Sequence, residues 1–204
     1  MEADPINIII TGVGGQGNIL ASQLLASAAI KKGWYASIGE TYGASQRGGS
    51  VMSHVRLSRN YQVGPLIPTG ETHVLVGFEP LETMRVMIDY ANPESKVIVN
   101  PRPTYPVGVM AGVSIYPEVE KIVNAMKESV SEVIVIPATD IAQDCGVAIA
   151  QNVVMVGALA GSAYLPLKSE DFEKVIQETF TGEKLDLNLT AFQRGVSSAS
   201  EARN

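Results

Sequence analysis

Two glycine-rich segments hold the residue types that could do chemistry. The first is Gly12-Val13-Gly14-Gly15-Gln16-Gly17, which follows the apolar run Ile6-Asn7-Ile8-Ile9-Ile10. Glycines at 12, 14 and 17 have the spacing of a dinucleotide-binding turn, in which one permits the tight turn, one lets a ligand approach the backbone and one allows helix–strand packing. The unpaired N–H groups and the dipole at the start of a helix favour an anion there. Glu40 lies 23 residues after Gly17, where an acid that binds a ribose would sit. The same glycines would also serve a loop that merely packs closely on its helix.

The second segment runs from Tyr42 to Ser50, Tyr-Gly-Ala-Ser-Gln-Arg-Gly-Gly-Ser. Ser45, Gln46, Gly48, Gly49 and Ser50 surround one basic residue, Arg47. A guanidinium is a planar fork suited to phosphate or carboxylate. The structural alternative is an ion pair of Arg47 with Glu40 or Glu79. Residues 31–70 contain Lys31, Lys32, Arg47, Arg56 and Arg59 against Glu40 alone, although the chain as a whole carries a net charge of −6. A local basic segment on an acidic protein fits a small anionic ligand and disfavours nucleic acid.

The remaining candidates read as structural. His54, on an alternating strand, reads as a satisfied half-buried residue and His73 as the start of a strand. Cys145 reads as a small packing residue. One cysteine allows no internal disulfide and cannot supply the four thiolates of an iron–sulfur cluster. Two histidines and one cysteine make a zinc centre of Cys/His type a poor fit, and no metal site is expected on this chain.

The elements that must position the two glycine segments follow from patterning. A buried strand over Ile6–Ile10, a helix stopped by Gly33 and a strand from Trp34 to Ile38 predict a β-α-β unit with a parallel strand pair. Val51 to Leu57 alternates with period two, and Ser58-Arg59-Asn60 offers a turn to Tyr61-Gln62-Val63, which predicts an inserted β-hairpin. Val74–Phe78, Lys96–Asn100 and Val133–Ile136 read as buried strands, and Pro80–Tyr90 and Pro117–Val130 as helices entered through proline. Pro101 to Pro106 reads as a loop. Helices are expected over Asp140–Gly146, Ala148–Ala163 and Ser169–Phe180, the last with Ser169 as N-cap. A weaker helix is expected from Asn188, with Ser197–Asn204 frayed or held only by a partner. The fold class is α/β, a Rossmann-like mostly parallel sheet with flanking helices and an inserted hairpin, in a single domain over residues 1–204. The acidic start Met1–Pro5 has no secretory pattern, and the apolar stretch Val153–Ala163 is shorter than the about 20 residues of a membrane span. A cytoplasmic location with no membrane contact is expected.

With both segments in view, the chain resembles the gamma subunit or gamma domain of the 2-oxoacid:ferredoxin oxidoreductases, and within that family the small subunit of the indolepyruvate type. The likeness rests on Gly12–Gly17, Glu40–Gly43, Ser45–Val51 with Ser53-His54-Val55-Arg56, Phe78–Glu82, Asn152–Ala158, and Ala191-Phe192 with Gly195. The resemblance implies one subunit of a complex that decarboxylates a 2-oxoacid oxidatively with coenzyme A (CoA), giving acyl-CoA, carbon dioxide and reduced ferredoxin. It further implies that thiamine diphosphate, Mg2+ and iron–sulfur clusters belong to a larger partner subunit, and that this chain holds no cofactor or catalytic residue of its own. Gly12, Gly14, Gly15, Gln16, Gly17, Glu40, Ser45, Gln46, Arg47, Gly48, Gly49 and Ser50 are then the residues facing substrate, CoA or the partner. Two readings compete with it: an NAD- or FAD-binding Rossmann enzyme, and a non-catalytic assembly subunit. Within the resemblance, 2-oxoglutarate, pyruvate and 2-ketoisovalerate remain alternative substrates.

Overall fold

The computed structural model of the protein describes residues 3–42, 49–105 and 107–203. Six strands form one sheet in the order β2-β3-β1-β4-β5-β6, where β1 is Ile6–Val13, β2 Tyr35–Tyr42, β3 Ser50–Ser58, β4 Val74–Gly77, β5 Lys96–Val99 and β6 Glu132–Val135. The pairs β1–β4, β4–β5 and β5–β6 are parallel, whereas β3 runs antiparallel to both its neighbours. This is the mostly parallel α/β sheet expected from the sequence.

Two local expectations change. The first helix crossover does not join adjacent strands, because β3 occupies the slot between β1 and β2. Tyr61–Val63 forms no strand, so the hairpin is β2–β3. The reason lies in β3 itself: most of it is buried on both faces, which a central strand provides and an exposed hairpin does not. Past Ser58 the chain is instead held by Arg56, whose guanidinium donates to the carbonyls of Gly64 (3.0 Å) and Leu66 (3.2 Å).

The period-two rule puts alternate strand residues on opposite faces. Ile8 and Ile10 of β1, with Val55, Leu57, Val76 and Ile98, meet the helices α1 (Asn18–Lys31), α6 (Gln151–Gly161), α7 (Ser169–Thr179) and α8 (Glu183–Arg203). Ile9, Leu75, Val97 and Val99 meet α2 (Pro80–Tyr90) and α4 (Val119–Ser129) on the other face. Between these lie the short α3 (Val107–Met110), α5 (Ala138–Asp144) and a 3-10 turn at Ala148–Ala150 that leads into α6.

On the larger face α6 and α8 nearly touch. A Cβ at Gly157 would lie 2.1 Å from the Phe192 carbonyl oxygen, and one at Gly195 would lie 2.1 Å from that of Val154. α8 begins at Glu183 rather than Asn188 and runs to Arg203, correcting the expectation of a frayed end. Ala199 is buried, and Arg203 donates to the Ser162 carbonyl (2.5 Å) and lies 3.7 Å from Glu132. Ser169 is likewise the first helical residue of α7 rather than its cap; Lys168 caps, its N–H donating to the Asp171 carboxylate (2.8 Å).

Candidate functional site

The turn after β1 is built from its own side chains. The Val13 N–H donates to Gln16 Oε1 (2.7 Å), and the Gln16 N–H donates back to the Val13 carbonyl (3.1 Å). Gln16 Nε2 then reaches Thr104 Oγ1 (3.2 Å) and the Phe78 carbonyl (3.4 Å). Gln16 is thus a strut that ties the turn to the chain leaving β4 and β5. Gly17 enters α1 with φ 88°, and a Cβ there would lie 2.3 Å from Asn152 Nδ2, so only glycine lets the start of α6 approach this closely.

The two glycine-rich segments meet. The Gly14 N–H donates to the Gly49 carbonyl (2.8 Å), and Ser50 pairs with Val13 in the β1–β3 ladder. Ser45, Gln46, Arg47 and Gly48 lie outside the described residues, as do Gly43 and Ala44. Beside the junction opens a cavity of about 490 Å³; among the described residues it is lined by Val13, Gly14, Gly15, Gly17, Asn18, Ile19 and Val51. Its floor is the first turn of α1, which has no side-chain cap, so that helix N–H groups are left for a ligand. Asn18 is buried; its Nδ2 donates to the Val51 carbonyl (3.3 Å), and its Oδ1 has no partner among the described residues. None of these lining residues is titratable, so the chemistry they offer is backbone hydrogen bonding and shape.

Glu40 is placed differently. Its carboxylate accepts from Ser22 Oγ (3.1 Å) and Ser53 Oγ (2.6 Å), which pins β2 and β3 to the second turn of α1. His54 is buried, accepts the Ile67 N–H at Nδ1 (3.3 Å) and sits edge-on to Tyr90; burial, and secondly Arg56, lower its pKa. His73 accepts the Asn7 N–H (2.9 Å) and is also lowered by burial. Cys145 closes α5, with Arg194 3.9 Å from its sulfur.

The sequence reading missed the polar layer under this end of the sheet. Glu79 is buried. Its carboxylate caps α2 by accepting from the Glu82 N–H (2.8 Å), and it also accepts from the Thr104 N–H (3.3 Å) and the Tyr116 hydroxyl. Burial first, then Glu79, pushes the Tyr116 hydroxyl above the ordinary tyrosine range. Asn100 Nδ2 donates to Thr139 Oγ1 (2.9 Å) and the Phe78 carbonyl (3.3 Å), and the Thr139 hydroxyl donates to Gln151 Oε1 (2.8 Å). The available signal was a polar residue closing an apolar strand run, in Val97-Ile98-Val99-Asn100 and in Val76-Gly77-Phe78-Glu79.

The family described as pyruvate ferredoxin/flavodoxin oxidoreductase matches residues 7–198, which include the cavity and, Ile6 apart, all six strands of the described residues. The chain belongs to that family. Among this family's relatives, the indolepyruvate oxidoreductase subunit IorB of Archaeoglobus fulgidus is 38% identical over 198 residues, covering 97% of each chain. A keto/oxoacid ferredoxin oxidoreductase gamma subunit of Geobacter sulfurreducens shares the fold with a TM-score of 0.69 at 23% identity, over 95% of this chain and 98% of that one. A 2-oxoglutarate:ferredoxin oxidoreductase of Magnetococcus marinus, described with 2-oxoglutarate, coenzyme A and succinyl-CoA bound, gives 0.76 at 23% identity, over 98% of this chain but 32% of that one. The resemblance read from the sequence therefore holds, and the chain is a small subunit of the 2-oxoacid:ferredoxin oxidoreductase type.

Proposed function

We propose that this chain completes the substrate pocket of a cytoplasmic, indolepyruvate-type complex, in which it holds an anionic group of CoA or of the 2-oxoacid while a larger subunit carries the reactive cofactors. The observation that carries this reading is the Gly14–Gly49 hydrogen bond. It joins the two glycine-rich segments beside an uncapped helix start and a cavity of ligand size. Gly12, Gly14, Gly15 and Gly17 supply close backbone approach, Gly49 and Ser50 the opposite wall, and Arg47 with Ser45, Gln46 and Gly48 the polar groups brought by the second segment. Gln16 and Glu40 position these walls through the bonds described above.

The residues of this chain do not suit the redox cofactors. A lone cysteine cannot ligate a cluster, and the described residues include no group of three His, Cys, Asp or Glu side chains placed to hold a metal ion. Following the family resemblance, we assign thiamine diphosphate, Mg2+ and iron–sulfur clusters to the larger subunit, and ferredoxin to the complex as electron acceptor. Among the described residues, no helix is long and apolar enough to cross a membrane. The NAD reading is weakened by Glu40, whose two oxygens are already bonded to Ser22 and Ser53, and by β3 standing where the ribose-binding strand would be.

The test is reconstitution with the larger subunit, following ferredoxin reduction with indolepyruvate and CoA. Arg47→Ala should raise KM for CoA or for the 2-oxoacid about tenfold, the scale of one charge-assisted contact, while the subunit melts as before. Unchanged kinetics in that variant would remove the second segment from the ligand site. Saturable NAD binding by the isolated chain would favour the dehydrogenase reading instead.

A further inference from the structure

Tyr105 and Tyr116 bracket a stretch in which residues 110 to 115 are all exposed. The two rings meet edge to face with centroids 5.3 Å apart, so they close the neck of that stretch. The neck is fixed from below, since the buried Glu79 accepts from both the Tyr116 hydroxyl and the Thr104 N–H. Beyond the neck stand three apolar side chains in solvent: Met110 is 69% exposed, Val113 83% and Ile115 94%. Residues 103 to 117 include no charged side chain, whereas Arg102 and Glu118 bracket them. An anchored, uncharged projection with an apolar tip is exposed at a cost unless something covers it.

We propose that this stretch is a docking element whose tip, Met110, Val113 and Ile115, inserts into an apolar groove of the larger subunit. The inference rests on the proposed function. Three observations select that occupant. Thr104 at the neck bonds to Gln16 of the glycine turn, so the projection rises from the rim of the candidate pocket, the side that a cofactor-bearing subunit must cover. In the Magnetococcus protein the same fold is about a third of a longer chain, so this fold occurs there joined to further polypeptide of its complex. The residues that follow the tip include Glu118 and Glu120, and the net charge of −6 repels an anionic lipid surface.

The experiment uses the purified chain and the purified larger subunit, with the dissociation constant measured by titration calorimetry. Ile115→Asp and Val113→Asp should each weaken binding tenfold or more, as loss of a buried apolar anchor does. Ile115→Val should stay within about threefold of the original. Melting of the lone chain should not change in any of the three, because these side chains are in solvent. Aspartate variants that bind as tightly as the original overturn the docking element alone. A wild-type chain that fails to bind the larger subunit overturns the functional reading together with it. Loss of self-association, or of binding to anionic phosphatidylserine vesicles, with unchanged binding to the larger subunit assigns the tip to another occupant and overturns the proposal.

Discussion

Gly17 and Asn152 are in such close contact that the start of α1 and the start of α6 form one surface: a Cβ on Gly17 would lie 2.3 Å from the Asn152 amide nitrogen and 2.9 Å from its Cγ. The glycine is needed twice, for its φ of 88° and for this approach. Gly17→Ala should destabilise the protein by about 3 kcal/mol, of which about 1–2 is the left-handed backbone and the rest displacement of a packed side chain. Asn152→Ala removes the obstructing amide and leaves only its Cβ, 3.0 Å away, so Gly17→Ala should cost clearly less in that background. Urea unfolding of the four proteins in this cycle measures the difference, and additive losses would show that the two residues do not touch.

The α6–α8 crossing makes a harsher demand. The Cβ of Gly195→Ala would meet the Val154 carbonyl oxygen at 2.1 Å and the Ala158 nitrogen at 3.0 Å, and neither can rotate away. The helices must separate over a buried stretch that includes Phe192 and Ala199. The expected loss is about 3 kcal/mol or more, seen as a lowered melting temperature and as faster amide exchange in Ala191–Ala199. An alanine variant with native exchange rates would contradict the crossing.

These two contacts show what could be read in advance. Gly12–Gly17, Asn152–Ala158, and Ala191-Phe192 with Gly195 carried the family resemblance, and the structure brings each near its partner. Local chemistry also fixed α2, because Pro80 suits the first helical position and an apolar stripe repeats behind it. The position of β3 was not legible, since period-two alternation is the same in a hairpin and in a central strand, and its pairing with β1 joins residues 37 to 51 apart, from Val13–Ser50 to Ile6–Leu57. The buried role of Glu79 was not legible for a similar reason. Its partners Thr104 and Tyr116 come from 25 and 37 residues downstream, so nothing adjacent in sequence marks it as more than a charged residue before a proline.

Glu79 nevertheless organises three segments. Glu79→Gln keeps one oxygen acceptor and puts an NH2 group where the carboxylate accepted from the Glu82 N–H, the Thr104 N–H or the Tyr116 hydroxyl. At least one buried donor then faces another donor, at a cost of about 1–3 kcal/mol. Chemical denaturation at pH 7 should show this loss, and Tyr116→Phe should make the penalty of Glu79→Gln smaller. Stability should also fall above about pH 10, where the unfolded chain begins to ionise a tyrosine that burial and Glu79 keep protonated in the fold. Tyr116→Phe should flatten that alkaline limb.

On the acid side the sign is set by His54. Its pKa is lowered in the fold, first by burial and then by Arg56, and its Nδ1 accepts the Ile67 N–H, a bond available only while that nitrogen carries no proton. In the unfolded chain histidine takes up a proton near pH 6.5. Below that pH the unfolded state binds more protons than the folded one, so stability is fully present above about 6.5 and declines as the pH falls toward the lower folded value. His73 has the same sign, because burial lowers it and its Nδ1 accepts the Asn7 N–H. His54→Asn should weaken the protein at pH 7 through loss of the edge contact with Tyr90, whose centroid is 5.4 Å away. The same variant should flatten the dependence between pH 6.5 and 5, because asparagine does not titrate. Urea midpoints at half-unit pH steps measure both effects, and an undiminished slope in His54→Asn would assign the acid sensitivity to His73 and the carboxylates.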